Sequence, residues 1–402
     1  MKFLKISEKN FVVLLFIANL LLRLFRLNSP SEAYFDEKGY YLKAVRDILA
    51  GKSDPNYPHP PLAKELIGVG IKIFGDNPWG WRALQAILAS IAVVVIYFIA
   101  KRLFKSRKIA AVASLLMSVE ISWFVLSRVA IPEMFMISFF TFSLFFLVKF
   151  YQEKDSISLI AGSGFFGLAL ACKWAPLIFL PIVAFIFIRK FQLGKIEKLK
   201  VAIIASLVIF GSYLLPFFLL PAHPSVKDIV NFHLKTTKFH LIEEKKLVNI
   251  ESDLSNSAVF WPVDVYFLTS KPTKGGNTIS VIFFYNPAIL WTALVVTFLL
   301  FKKFLKNRLL GVNEFLVSSF LIFWVVWFAS PRDTYPYYWA IAMPFAAILV
   351  ANFFVEKMEN YSSEVGAGLS LAVLIFGFYY PLLTNWPVKA WYLQLLTGIG
   401  FK

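Results

Sequence analysis

Apolar runs of about twenty residues recur so often in this chain that they dictate its class. A helix of that length crosses a bilayer, and backbone polar groups inside lipid are satisfied only in helices or closed barrels. The runs lie at about 11–27, 81–99, 109–127, 132–151, 157–173, 175–189, 199–220, 283–301, 315–330, 336–354 and 366–383. They predict an all-α polytopic membrane protein with about 11 transmembrane helices and two large extracytoplasmic loops, at 28–80 and 221–282. The stretch "ACKWAP", Ala171 to Pro176, reads either as a short turn between two spans or as a kink in one long span. Composition agrees: 58% of the 402 residues are hydrophobic and 44 are Phe, against roughly 45–50% apolar residues in soluble domains.

The net charge of +17 is distributed as flanks to these spans. "KRLFKSRK" (Lys101, Arg102, Lys105, Arg107, Lys108), "RKFQLGKIEKLK" (Arg189 to Lys200) and "FKKFLKNR" (Lys302, Lys303, Lys306, Arg308) fall on one side, together with Lys2, Lys5 and Lys9. An excess of Lys and Arg marks cytoplasmic loops, so that side and the N-terminus are read as cytoplasmic. The two outer loops are nearly balanced, with seven acids and six bases in 28–80 and six acids and seven bases in 221–282. Bases spread as membrane flanks exclude nucleic acid as the partner; the lipid bilayer is the partner they fit. The first apolar run contains Arg23 and Arg26 and no small-residue cleavage pattern follows it, so it reads as an uncleaved anchor. A single cysteine, Cys172, rules out an internal disulfide. No repeat of 20–50 residues is seen, and residues 1–402 read as a single transmembrane domain.

Chemistry gathers on the outer side. All four histidines (His59, His223, His233, His240) lie in the two outer loops, as do the adjacent acids Asp36 and Glu37 in "YFDEKGYY" and Lys64 in "HPPLAKEL". Loops are also where polar residues collect without any function. Ionisable residues at membrane depth are expensive and mark function: Glu120 lies inside the third run, Arg128 and Glu133 bracket a turn, Lys173 sits in "ACKWAP", and Arg332 opens "SPRDTYPYYWA". A lone boundary Arg or Lys is explained by snorkelling. Four at the outer boundary, Arg82, Arg128, Lys173 and Arg332, run against the positive-inside bias and point to an anionic ligand. No Cys/His metal spacing is present, so no metal is expected.

The order "FDE", "HPPLAKEL", "GWRALQAILASI", "SVEISWFVLSRVAIPE", "GLALACKWAPL", then "FH", "FWPVDVY", "YNPAILW", "PYYWAIAMPF" and "FYYPLLTNWPV" resembles the protein O-mannosyltransferases, polytopic glycosyltransferases of the C fold. The similarity runs through nearly the whole chain. Family members usually carry Asp where this chain has Glu120 and Glu133, and the extra lumenal repeat domain of eukaryotic members is not found, which suggests a prokaryotic cell membrane. The resemblance implies transfer of mannose from a polyprenyl-phosphate-linked (dolichyl-phosphate-type) donor to Ser or Thr hydroxyls of a protein or peptide acceptor, on the extracytoplasmic face. Following the family's pattern, Arg82, Lys173 and Arg332 grip the donor phosphate, and His59 and Lys64 shape the same cleft. Related C-fold enzymes also leave room for a divalent cation, although this chain shows no ligand spacing for one.

The chemistry fits those residue types. A lipid phosphate departs as an anion without needing a proton, so one base for the acceptor hydroxyl and cations for the leaving group suffice. Neighbouring residues point apart, so Asp36 and Glu37 are expected to divide the work, Asp36 as the favoured base and Glu37 orienting a neighbouring group. Either remains a candidate base, and Glu120, Arg128 and Glu133 are read as supporting polar groups. Two other classes share part of this pattern: a polyprenyl-phosphate sugar transferase acting on a lipid or glycan, and, more remotely, a transporter. The second usually shows repeated halves with broken spans near the midplane.

Overall fold

The structure, a computed structural model, describes residues 6–189, 192–243, 258–273, 277–307, 311–330, 334–357 and 362–397. Helices dominate: α1 (Glu8–Leu24), α2 (Leu42–Leu49), α3 (Leu62–Phe74), α4 (Pro78–Phe104), α5 (Arg107–Ser118), α6 (Ile121–Leu126), α7 (Pro132–Glu153), α8 (Ser156–Cys172), α9 (Leu180–Arg189), α10 (Lys195–Leu219) and α11 (Val226–Lys238). Strands β1 (Tyr266–Pro272) and β2 (Asn277–Phe283) follow, then α12 (Pro287–Asn307), α13 (Val312–Val325), α14 (Met343–Lys357), α15 (Ser362–Leu383), β3 (Val388–Lys389) and α16 (Ala390–Thr397). Among the described residues, six helical stretches are long and apolar enough to cross a membrane: Pro78–Phe104, Pro132–Glu153, Lys195–Leu219, Val312–Ala329, Pro336–Glu356 and Gly366–Leu383. Three shorter apolar helices, Ser156–Cys172, Ala175–Arg189 and Pro287–Lys302, accompany them.

Local chemistry sets where the helices begin. Asn77 caps α4, its side chain accepting from Trp79 N at 3.0 Å, with Pro78 in the first turn. Asp155 caps α8 through Ser158 N at 2.8 Å, and Ser106 caps α5. Small residues let neighbours approach. A Cβ added to Gly80 would lie 2.0 Å from the Gly75 carbonyl oxygen, so the corner between α3 and α4 closes only around glycine. A Cβ on Gly167 would meet the Ile209 carbonyl at 2.4 Å, which makes glycine the contact between α8 and α10.

Several apolar runs are not single helices, and the breaks carry the polar residues. The third run divides between α5 and α6, because Glu120 leaves the helix and its carboxylate caps the next one through Trp123 N at 2.9 Å. At "ACKWAP" the helix stops: Lys173 is extended (φ −162, ψ 146), and a 3-10 turn, Ala175–Phe179, precedes α9. The tenth run opens as a 3-10 turn, Pro336–Ala342, before α14.

The all-α expectation needs one correction. The second outer loop contributes β1 and β2 to an antiparallel sheet of order β1-β2-β3, whose third strand comes from Val388–Lys389. Tyr266 pairs with Phe283 and Pro272 with Thr278, with a bulge between Phe267 and Thr269. β-Branched and aromatic residues alternating through "YFLTSKP" and "NTISVIF" favour a pleated, half-buried surface over a helix.

The two ends of the bundle differ in kind. At one, Lys101 pairs with Glu8 at 2.7 Å, Arg102 with Glu153 at 2.7 Å, and Arg107 donates to the Ile6 carbonyl, so the basic loops and the start of α1 meet. The other end holds Asp36, Glu37, Arg82, Arg128, Glu133 and Lys173.

Candidate active site

Two adjacent carboxylates take different surroundings. Phe35 adopts a left-handed backbone (φ 51), and a π-turn, Glu37–Tyr41, follows Asp36. Glu37 is turned fully inward. Its Oε1 accepts from Arg82 Nε at 2.8 Å and from Ala130 N at 2.7 Å, and its Oε2 from Arg82 Nη2 at 2.7 Å and Tyr34 N at 3.3 Å. Arg82 directs its remaining donors to the carbonyls of Leu27 (3.1 Å), Pro30 (2.8 Å) and Glu32 (3.3 Å). A guanidinium has five N–H groups, and all five are engaged. Glu37 and Arg82 thus fasten the first outer loop to α4 and to the turn before Glu133.

Asp36 is only partly buried, and among the described residues its carboxylate makes no hydrogen bond or ion pair. Burial, reinforced by the nearby Glu133 carboxylate and opposed by Lys173, pushes the Asp36 carboxyl up to about 7. Lys173 stands at the break after α8. Its Nζ donates to Glu133 Oε1 at 2.6 Å and lies 4.5 Å from the Tyr338 ring centre and 5.5 Å from that of Tyr337. One hydrogen bond leaves two ammonium N–H groups for a further acceptor. Glu133, in the first turn of α7, keeps its Oε2 buried without a hydrogen-bond partner among the described residues.

The other residues expected at the site have defined tasks. Lys64 is fully buried and donates to the carbonyls of Asn56 (2.6 Å) and His59 (2.8 Å) and to Asp54, so its three N–H groups brace the loop over 54–59. The His59 ring stacks on Tyr41 at 6.3 Å and lies 5.9 Å from His240. Arg128 donates to the carbonyls of Arg23, Phe25 (2.8 Å) and Arg26 (3.0 Å), closing the C-terminal end of α1. Glu120 accepts from Ser122 Oγ (2.7 Å), Trp123 N and Asn286 N (3.1 Å) and joins α6 to the start of α12. Arg332 lies outside the described residues. Arg82, expected to grip the phosphate, and Lys64, expected to shape the same cleft, therefore have every N–H occupied by Glu37, Asp54 and outer-loop carbonyls, whereas Lys173 keeps two N–H groups without a hydrogen bond among the described residues.

Several neighbours, apart from the outer-loop histidine His233, escaped the sequence reading. Trp174 Nε1 donates to Tyr213 Oη at 3.0 Å, Tyr213 Oη lies 2.7 Å from His233 Nε2, and His233 Nδ1 lies 2.6 Å from the Ile229 carbonyl. Thr236 donates to the Tyr57 carbonyl at 2.7 Å, so α11 is fastened across the first outer loop. Tyr41, Tyr337 and Tyr338 wall the acid–lysine cluster; the signal was the density of Tyr in "YFDEKGYY" and "TYPYYW". Among the described residues, no group of three His, Cys, Asp or Glu side chains is placed to hold a metal ion. Lys173 already engages Oε1 of Glu133.

Residues 58–215 match the family model described as dolichyl-phosphate-mannose-protein mannosyltransferase. The Polyprenol-phosphate-mannose–protein mannosyltransferase of Mycobacterium tuberculosis is 24% identical over 96% of this chain and 90% of its own length. The fold matches the S. cerevisiae protein O-mannosyltransferase Pmt1-Pmt2 complex bound to the sugar donor, with TM-score 0.81 and 12% identity over 97% of this chain and 92% of that one. It also matches ArnT from Cupriavidus metallidurans bound to undecaprenyl phosphate, with TM-score 0.63 and 16% identity over 94% of this chain and 66% of that one. The fold is therefore the one this chain shares with these two proteins. Its relatives in sequence include polyprenol-phosphate-mannose–protein mannosyltransferases of Mycobacterium tuberculosis and Corynebacterium glutamicum.

Proposed function

We propose that this enzyme transfers mannose from a polyprenyl-phosphate-linked donor to a Ser or Thr hydroxyl of a protein acceptor, with inversion at the sugar carbon and Asp36 as general base. The contrast between the two acids carries this reading. Glu37 is saturated by Arg82 and two backbone N–H groups, whereas Asp36 is reachable, unbonded and held near neutral pH, where a base is most effective. Asp36 takes the proton of the acceptor hydroxyl as its oxygen forms a bond to C1 of mannose. The C1–O bond to the lipid phosphate breaks on the opposite face, which inverts the carbon. The bonding electrons leave with the phosphate, and the two unengaged N–H groups of Lys173 meet the developing charge. Arg82, Lys64 and Glu37 act at one remove, fixing the loop that presents Asp36.

The finer topology belongs to the same proposal. Eleven crossings, some short or broken, place the site end outside and the basic loops in the cytoplasm, as expected for a prokaryotic cell membrane. The test uses purified enzyme with radiolabelled polyprenyl-phosphate-mannose and two acceptors, a Ser/Thr-rich peptide and a lipid. The reading requires transfer to the peptide. Asp36→Asn should bind donor normally and lose the roughly 10²–10⁴-fold that general-base catalysis supplies. Near-normal single turnover by this variant removes Asp36 from the role, and transfer to the lipid alone replaces the acceptor.

A further inference from the structure

A small cavity of ≈ 10 Å³ lies between the first outer loop and the hairpin, lined by Phe35, Tyr266, Leu268, Phe283, Tyr335 and Tyr337. It adjoins the reactive cluster on two sides. Phe35 immediately precedes Asp36, and its ring meets Tyr337 edge-on with centres 5.8 Å apart. Tyr337 in turn lies within 5.5 Å of Lys173 Nζ. One ring, Phe35 or Tyr337, therefore separates the cavity from Asp36 and from Lys173.

Its chemistry restricts the occupant. The wall is aromatic and aliphatic, whereas a sugar or a phosphate would be stripped of water there without hydrogen bonds in exchange, at a cost of a few kcal/mol per polar group. The volume is close to that of one water-sized sphere, too small for an isoprene unit of the donor. A methyl-sized apolar group fits, and its source is the acceptor, because the hairpin belongs to the outer loop. We propose that this cavity receives the side chain of a residue close to the acceptor hydroxyl, and that it selects protein segments carrying a small apolar residue, of alanine size, at that position. This inference rests on the reading of the acceptor as a protein.

Leu268 is the residue through which the selection is adjusted. It is the extra residue of the bulge in β1, half-buried, at the edge strand of the sheet. Bulges re-aim a side chain and are found beside active sites. Leu268 lines the cavity from the hairpin side, so changing it alters the cavity wall without removing Asp36, Glu133 or Lys173.

The experiment uses the full-length enzyme, radiolabelled polyprenyl-phosphate-mannose and single-Thr peptides in which each position within two residues of the Thr is varied through Ala, Val, Leu and Trp. The expected result is one position, on one side only, where Leu or Trp lowers kcat/KM at least about tenfold relative to Ala, the scale on which apolar pockets discriminate. Leu268→Ala should bring the Leu peptide to within about threefold of the Ala peptide, on that same apolar-pocket scale, and the volume-matched Leu268→Met should keep the wild-type preference. Equal use of all peptides by the wild type overturns the cavity's role, as does unchanged discrimination in folded Leu268→Ala. Transfer to a lipid and to none of the peptides overturns the protein-acceptor reading and the cavity assignment together, which separates the two failures.

Discussion

Burial makes the Asp36 carboxyl hold its proton more tightly than it would in water, and with Asp36 as the proposed base this predicts how activity answers to pH. With its carboxyl near 7, the fraction able to act as base falls about tenfold per unit below that pH, so kcat/KM should show an acidic limb near neutrality. Glu133→Gln removes a negative charge that raises Asp36, and should move the limb to lower pH; Lys173→Met removes the opposing positive charge and should move it up. A pH–rate profile with the limb unmoved in both variants would detach Asp36 from that limb. The stability sign follows from the same shift. The folded state binds this proton more tightly than the unfolded chain, so the group's contribution is complete below the ordinary carboxylate range and is lost as pH rises through about 7. Asp36→Asn should therefore melt higher than wild type at pH 8 while turning over far more slowly. Glu37→Gln should do the reverse: it strands a buried guanidinium, a loss of about 3–5 kcal/mol, visible first as a lower melting temperature. The acid pair was legible in "YFDEKGYY", and so was a division of labour between its members. That the partner of Glu37 is Arg82, 45 positions later, is a long-range fact that local spacing does not encode. Arg82 is read toward phosphate because cations at an outer boundary suggest an anion, and Lys64 toward the same cleft because the resemblance implies it; in the structure Arg82 meets the Glu37 carboxylate and Lys64 that of Asp54, each with neutral backbone carbonyls besides.

Helix breaks, rather than whole helices, place the chemistry at the scale of the element. Glu120 ends one helix and caps the next while holding Asn286, which itself donates to the Val119 and Ala372 carbonyls at 3.0 Å. Glu120→Ala leaves three buried donors without their acceptor, each worth about 1–3 kcal/mol. It should lower stability well beyond a surface change, and Glu120→Gln, which keeps an acceptor oxygen, should lower it less; equal melting of the two would place the effect in side-chain volume instead. The apolar runs were readable because a bilayer demands continuous hydrophobicity over a fixed length. Their interruptions were not, since α5 and α6 together look like one span until Glu120 is seen to satisfy the backbone groups at the gap. "ACKWAP" showed its break through Pro176 and left turn and kink equally open. The hairpin was hidden by its setting: "PTKGGN" between two β-branched runs is a hairpin signal, overshadowed in a chain whose every other long feature is a span.

Segregation of charge between the two ends of the molecule is what ties the topology to function. The basic loops meet the start of α1 through Lys101–Glu8 and Arg102–Glu153, each at 2.7 Å, while Asp36, Glu133 and Lys173 gather at the opposite end. The length of α4, 27 residues and about 40 Å at 1.5 Å per residue, keeps the two apart by a bilayer's thickness. Under the proposed mechanism donor phosphate and acceptor meet at the Lys173 end, and the positive-inside bias predicts that this end faces outward. Chain-wide charge asymmetry was legible in the sequence because it is a property of loops, each read on its own. The test is direct. In a Cys172→Ser background, a cysteine at the exposed Ser53 should react with an impermeant thiol reagent on intact cells, and one at the exposed Lys108 only after the membrane is opened. Labelling of the Lys108 position in intact cells, with Ser53 protected, would invert the orientation and move the proposed transfer to the cytoplasmic face.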